Sequence, residues 1–320
     1  MQILKWLFEL LVFPGFLFVG FCGLLLSGLD RKLVARMQKR VGPPVIQPLY
    51  DFLKLCGKEN IIPRQANRKV YIAAPVIANV CLILTNLFLP LNAHYTAFQG
   101  TADLVVVLYL LTIPAVCILL GAAASASPFA GVGMSREMVS MMAYELPLVI
   151  VLFAVARKAG SGTEGGITFS LQQIMKYQAE NGTMIAHWAL IPAALALLFV
   201  IPCEAGSHPF DVAEAETEIC EGTLAEYSGF PLALFELAHS VKAFVLASFF
   251  CVLFLGGLTT GNLALDALIR LGFAFVITFL TSTVPHAICA RLKTEAIFKF
   301  YWTFVTGLAL ISLILVWLGL

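Results

Sequence analysis

The sequence has little charge and few polar stretches. Only 12% of its 320 residues are charged, about half the usual share of a soluble protein, whereas 60% are hydrophobic and the mean hydropathy is +0.92. The longest polar stretch is the connection near residues 29–68. This composition argues against a soluble enzyme or a nucleic-acid-binding protein. It predicts an all-α polytopic membrane protein that forms one integral membrane domain, residues 1–320.

The sequence also lacks closely spaced cysteines. Iron–sulfur clusters and structural zinc need neighbouring thiolates, and no two of the eight cysteines form a C-x-x-C pair. There is no P-loop, no G-x-G-x-x-G and no H-E-x-x-H. We therefore expect no metal, no cofactor and no catalytic residue in this chain.

What is present is a series of long apolar segments. A helix needs about 20 apolar residues to cross the hydrocarbon of a bilayer. Eight segments meet this requirement: 3–28, 69–92, 102–124, 137–157, 185–203, 231–258, 262–285 and 297–319. A short amphipathic helix is predicted from Pro48 to Cys56, within the first connection.

Basic residues lie mainly on one side of these predicted spans. The first connection alone holds ten, from Arg31 to Lys69. Because positively charged loops stay in the cytoplasm, that side is predicted to be cytoplasmic and both termini to lie outside. The connection between spans five and six falls on the same side, and its acidity suggests pairing with the basic connection.

The connection between spans five and six contains seven carboxylates and no lysine or arginine from Glu204 to Gly229. His208-Pro209 is typical of a helix start and Gly222 of a helix end. Carboxylates at spacings of 3, 4 and 3 would then share one face; they are Asp211, Glu214, Glu218 and Glu221. Two interpretations stay open: a row of coupled acids that passes protons, or an acidic helix that binds a partner.

Ionisable residues also occur inside the predicted spans, where they are costly. Glu145 lies in span four, and Glu236, His239 and Lys242 recur every three residues in span six. Each is a candidate for an ion path, and the alternative is a buried group that only bonds to a neighbouring helix.

Two connections carry distinctive motifs. The first motif is Arg40-x-Gly42-Pro43, Gln47-Pro48, Asp51, Lys54, Lys58-Glu59 and Pro63. The second is Glu204, Pro209-Phe210-Asp211, Glu214-Ala215-Glu216, Glu218, Gly222 and Glu226-Tyr227-Ser228-Gly229. Together they resemble the membrane subunit of complex I (NADH:quinone oxidoreductase) that is known as subunit 1 or as the H subunit. They resemble still more closely its counterpart in energy-converting [NiFe] hydrogenases of the Ech or formate-hydrogenlyase type.

Departures from the complex I pattern favour the hydrogenase branch. The first connection lacks the longer complex I insert, and Gly206-Ser207 replaces an Asn-Arg pair whose arginine is associated with the quinone cavity. His239 stands where complex I has a glutamate, and Lys242 stands where hydrogenase relatives carry a lysine.

The resemblance implies a non-catalytic subunit of an oxidoreductase complex in a prokaryotic cytoplasmic membrane. Its partners would be the hydrogenase small and large subunits, iron–sulfur subunits and an antiporter-like membrane subunit, with ferredoxin acting indirectly. The iron–sulfur clusters and the NiFe centre would lie in those partners. Hydrogen evolution or oxidation would be coupled to movement of H⁺ or Na⁺.

The resemblance also implies roles for particular residues of this sequence. The ion path would use Glu145, Glu204, Asp211, Glu214, Glu218, Glu221, His239 and Lys242. The soluble arm would dock on Arg36, Arg40, Asp51, Lys54, Glu216 and Glu226. Alternatives are a quinone-binding complex I subunit, a stand-alone ion transporter and a passive membrane anchor.

Overall fold

The structure is a computed structural model that describes residues 8–91, 103–162, 166–258 and 261–319. Within these ranges the chain is helical without a named strand, and eight helices are long and apolar enough to cross a membrane. In chain order, spans one to eight are Phe8–Met37, Arg68–Phe88, Leu104–Ser125, Pro128–Ala159, Trp188–Ala205, Gly229–Phe254, Leu263–Ile288 and Thr294–Trp317. The predicted polytopic all-α fold is confirmed.

Two spans are longer at the basic end than hydropathy predicts. Span one continues through Arg31 and Arg36 to Met37, and span four begins at Pro128 rather than at residue 137. Helical hydrogen bonds continue beyond the apolar residues that hydropathy detects, so charged residues occupy the ends of both helices. Arg136 and Glu137 therefore project from a helix and not from a loop.

Span six lies at the centre of the bundle. Of its most apolar stretch 89% is buried, compared with 33% in spans one, seven and eight. It packs against spans one, two, five and seven. A polar residue on span six therefore faces protein or an internal cavity on most of its surface, which explains how Lys242 is only 4% exposed.

The last two spans are interrupted by π-helical turns. Span seven consists of Leu263–Thr278, the π turn Phe279–Thr283 and Val284–Ile288. Span eight consists of Thr294–Phe300, the π turn Tyr301–Val305 and Thr306–Trp317. Such turns are frequent at functional sites because they redirect side chains within a helix.

Short helices complete the fold. The predicted amphipathic helix is confirmed as Gln47–Cys56, which packs against spans one and six. Leu171–Asn181 lies between spans four and five, close to the far end of span six.

The acidic connection does not form the predicted helix from His208 to Gly222. Only Glu216–Ile219 is α-helical, followed by a 3₁₀ turn at Gly222–Leu224. Cys220 and Glu221 have positive φ angles of 50° and 66°, which a right-handed helix cannot contain. The prediction of four acids on one helix face is therefore wrong.

Candidate functional site

The acidic connection begins where span five stops at Gly206. This residue has φ +69°, and its N–H and that of Ser207 bond back to the carbonyls of Cys203 and Pro202. Such a left-handed glycine is a common way to end a helix. The chain then turns back toward the bundle, and Glu204 is left in the last turn of span five.

Close backbone contact holds the connection against span four. A Cβ on Gly133 would lie 2.6 Å from the Thr223 nitrogen and 2.9 Å from the Ala213 carbonyl oxygen. Gly222, with φ +47°, would also collide with that carbonyl. Both glycines therefore permit an approach that buries Val212, Ala213 and Ala215.

The four acids predicted to form a row point in different directions. Asp211 pairs with Arg291 at 2.7 Å, and Glu218 pairs with Arg136 at 2.6 Å. Glu214 lines an internal cavity, and Glu221 is exposed. The expected pairing with the first basic connection is wrong for Asp211 and Glu218, because both arginines belong to other connections or spans.

Below the connection lies a small cavity that we call the acid pocket. Its ionisable lining residues are Glu137, Glu204, Asp211, Glu214, His239 and Lys242. Its volume is about 30 Å³, which is room for about two water molecules. The sequence predicted five of these six residues as ion-path members, and the structure brings those five together from spans five and six and their connection.

Glu204 and Lys242 are the most deeply buried charged groups of the acid pocket. Glu204 is 2% exposed, and within the described part of the chain neither carboxylate oxygen has a hydrogen-bond partner. Lys242 lies within electrostatic range of Glu204 and Glu137. Because a buried unpartnered carboxylate is costly, water or a proton at Glu204 is the physical way to lower that cost.

A larger cavity of about 410 Å³, here the charged chamber, shares Asp211, Glu214 and His239 with the acid pocket. It lies between the acidic connection and spans one, six and seven. Its ionisable lining residues are Asp30, Arg31, His208, Asp211, Glu214, Glu236, His239, His286 and Arg291.

Contacts across the charged chamber join span one to span seven and to the acidic connection. The Thr283 hydroxyl donates to Asp30 at 2.5 Å, and His286 Nδ1 lies 4.0 Å from the same carboxylate. The His286 ring stacks on His208 at 4.8 Å. The π turn of span seven thus places Thr283 and His286 against Asp30.

The acidity of Glu214 is strongly altered. Burial raises its pKa to about 8, and the nearby carboxylates of Asp211, Glu236 and Glu137 act in the same direction. Glu214 is therefore mostly protonated at neutral pH. Burial, together with His286 and Arg291, lowers the pKa of His208, so that this imidazole is neutral at the same pH.

Glu145 lies apart from this site. It is half-buried in span four and lines neither the acid pocket nor the charged chamber, although it is within electrostatic range of Glu204. Its role in an ion path stays a prediction.

The predicted docking residues surround the same end of the bundle. Arg36, Arg40 and Lys54 are exposed. Asp51 pairs with Arg31 at 3.3 Å, and the carbonyl of Glu226 accepts a hydrogen bond from the Tyr71 hydroxyl. The side chain of Glu216 lies outside what the structure describes. Docking itself stays a prediction.

The sequence analysis missed several residues of the site. Asp30, His286, Arg136 and Arg291 acquire their roles through contacts between segments 80 or more residues apart. Glu137 was missed because hydropathy predicts that span four begins there. The only sequence signal for Asp30 was a carboxylate at the end of an apolar run.

No group of three or more histidine, cysteine or acidic side chains is arranged to hold a metal ion in the ranges that the structure describes. The expectation that iron–sulfur and nickel centres belong to partner chains stays a prediction.

Eight candidate spans around a buried cluster of acids and a lysine define a multi-pass membrane protein with ionisable groups in its interior. The protein-family comparison agrees: the family described as NADH dehydrogenase matches residues 9–317. The chain belongs to this family.

The chain is similar to subunits of known oxidoreductases and to a chain of a respiratory membrane complex. The H subunit of the NADH-quinone oxidoreductase of Syntrophotalea carbinolica is 31% identical over 315 residues, covering 91% of this chain and 90% of that protein. Subunit 8 of the Thermus thermophilus enzyme is 32% identical, covering 88% and 78%. A chain of the archaeal membrane-bound sulfane sulfur reductase superposes with a TM-score of 0.87 at 30% identity, covering 98% and 99%.

Proposed function

We propose that this chain couples an electron-transfer arm to ion movement in a multisubunit respiratory membrane complex, and that it catalyses nothing alone. The observation that carries the proposal is the acid pocket: buried Glu204 without a hydrogen-bond partner, beside buried Lys242, under the connection that holds Glu214. Ionisable groups in such a setting are expensive and are typical of ion pathways.

Proton movement through the site follows from the charges of its residues. Glu214 takes a proton at neutral pH because its pKa is about 8. A movement of the acidic connection that exposes Glu214 to water would release this proton. The negative charge then left on Glu214 would act on Glu204 and Lys242, which line the same pocket, and would so link movement of the connection to the charges in spans five and six.

The second part of the proposal concerns the identity of the electron-transfer arm. We assign it to a [NiFe] hydrogenase of the energy-converting type, linked to ferredoxin, with H⁺ or Na⁺ as the coupled ion. Gly206-Ser207 and Lys242 support this branch.

Quinone binding is the second candidate. The names of the curated relatives favour it, and a volume of about 410 Å³ is within the range of small-molecule sites. A stoichiometric quinone in the purified complex, or competition by quinone-site inhibitors for the charged chamber, would decide for it against the hydrogenase arm.

Sealed vesicles that contain the whole complex test the coupling role. We expect Glu204→Gln to lower coupled turnover by about 100-fold while all subunits stay in normal stoichiometry. Glu180→Gln is the matched control, because this exposed glutamate lies on the short helix Leu171–Asn181, away from the acid pocket. Wild-type rate and gradient in an assembled Glu204→Gln complex would make the chain a passive anchor. Ion transport by the isolated chain would favour a transporter.

A further inference from the structure

A groove between spans four and eight lies outside the acid pocket and the charged chamber. It has a volume of about 380 Å³ and opens on the surface of the bundle at the end where both spans begin. Span four contributes Ser135, Arg136 and Val139, and span eight contributes Thr294, Phe298 and Lys299, together with Glu295.

Charge is concentrated at the mouth of this groove. Lys299 is exposed, and among the described residues it has no ion-pair partner within 4 Å. Arg136 contributes a second cation, and Glu295 is the carboxylate of the lining. The hydroxyls of Ser135 and Thr294 add polar groups that can donate to an anionic oxygen.

Below the charged mouth the surface becomes apolar. Val139 and Phe298 line the groove, and Met142 and Trp302 continue it, 56% and 48% exposed. The Trp302 indole stacks on Phe298. Because Trp is typical of the interface between headgroups and hydrocarbon, Trp302 would place the charged mouth at headgroup depth.

We propose that this groove binds an anionic phospholipid, with its phosphate between Lys299 and Arg136 and an acyl chain along Val139, Met142 and Trp302. Basic sites between membrane helices are suited to anionic headgroups. The volume fits a headgroup and the beginning of the chains.

The bound phosphate would also act on the acidic connection. The Arg136 guanidinium donates to Glu218 at 2.6 Å and to the Val212 carbonyl at 3.4 Å. A phosphate at Lys299 would compete with Glu218 for the same guanidinium. The lipid would thereby loosen a contact that fixes the connection above the acid pocket.

The experiment uses the purified whole complex and a photoactivatable phosphatidylglycerol, with labelled peptides mapped by mass spectrometry. We expect labelling in spans four and eight that unlabelled phosphatidylglycerol displaces and phosphatidylcholine does not. Lys299→Gln should weaken binding about fivefold, the value for one cation near a membrane surface. Glu218→Gln should strengthen it, because Arg136 becomes free.

Two further variants distinguish lipid binding in the groove from attraction of lipid to positive surface charge in general. Val139→Trp keeps the charge and fills the groove, so labelling should be lost while subunit stoichiometry stays normal. Lys58→Gln removes a positive charge from the first connection, outside the groove, and should leave labelling unchanged.

Three results would overturn the proposal. They are equal displacement by phosphatidylcholine, displacement by inorganic phosphate at the concentration of the lipid, and labelling that survives Val139→Trp in the assembled complex. Benzoylphenylalanine can also be placed at position 299 as a photocrosslinker. If it crosslinks to another subunit and not to lipid, the groove is a protein interface.

Discussion

Carboxylates at one end of the bundle have two different environments. Asp211, on the border of the acid pocket, and Glu218, near the surface, each pair with an arginine, at 2.7 and 2.6 Å. In the acid pocket, Glu214 and Glu204 face a small cavity, and Glu204 has no hydrogen-bond partner in the described structure. Paired acids fix the position of the connection, whereas buried acids without such a partner can change protonation. Identical side chains therefore have structural or functional value according to what surrounds them.

The largest effect is expected where the acid pocket loses its cation. Lys242→Met leaves the carboxyl groups of Glu204 and Glu137 without the nearby positive charge, and a buried charge without a partner is costly. We expect coupled turnover to fall by about 100-fold in sealed vesicles, with normal assembly. Lys293→Met, at an exposed lysine, is the control. If Lys242→Met couples as well as the wild type, the acids of the acid pocket do not differ in function from the acids that pair with arginine.

Glu214 gives a pH-dependent test. Its pKa of about 8 lies above its ordinary value, so its neutral form suits the fold and its charged form does not. Stability from this group is therefore present at low pH and is lost as pH rises toward and through 8. Relative to wild type, Glu214→Gln should become progressively more stable from pH 5 to pH 9.

The measurement is thermal unfolding of the purified complex at several pH values, with a matching pH profile of coupled turnover. If coupling needs the neutral carboxyl group of Glu214, coupled turnover of the wild type should fall above about pH 8. The pH profile of Glu214→Gln should not show this fall. Parallel stability curves for the two proteins would contradict the raised pKa.

A moderate effect is expected at the partly buried ion pair of Asp211. Asp211→Asn leaves Arg291 without its carboxylate, where the two side chains are 20% and 28% exposed. We expect a loss of about 1–3 kcal/mol in stability. The change should lower the melting temperature while coupling per assembled complex stays near wild type. A loss of coupling without a loss of stability would show that Asp211 takes part in ion movement.

The smallest effect is expected at Glu218, whose side chain is 58% exposed. Surface ion pairs contribute about 0–1 kcal/mol, so Glu218→Gln should scarcely change the melting temperature. High salt should reduce even that difference, because it screens exposed charges. A loss larger than that of Asp211→Asn would show that exposure does not rank these acids.

Sequence reasoning predicted much of the fold because membrane constraints are local. Eight apolar runs and the amphipathic helix at Gln47–Cys56 can be read without tertiary information, since a span needs length and apolar residues alone. The two loop motifs identified the family that the comparison with known proteins also finds. The ends of spans one and four were misplaced because hydropathy does not detect charged helical turns.

The helix predicted for the acidic connection does not form. The spacing of its acids is compatible with a helix, but the neighbouring segments do not allow one. Gly133 on span four and the left-handed Gly222 permit backbone contact that breaks helical geometry. Arg136 and Arg291 pair with two of the acids, Glu218 and Asp211, whereas Glu214 lines the acid pocket without an arginine partner.

What the sequence determined by itself is the number of spans, the concentration of acids between spans five and six, and the family. Apolar length and motif identity are properties of neighbouring residues. The tertiary structure alone decided which acids are paired and which surround the acid pocket. Burial and pairing depend on residues such as Asp30, Arg136 and Arg291, which approach the connection and spans six and seven only when the bundle is packed.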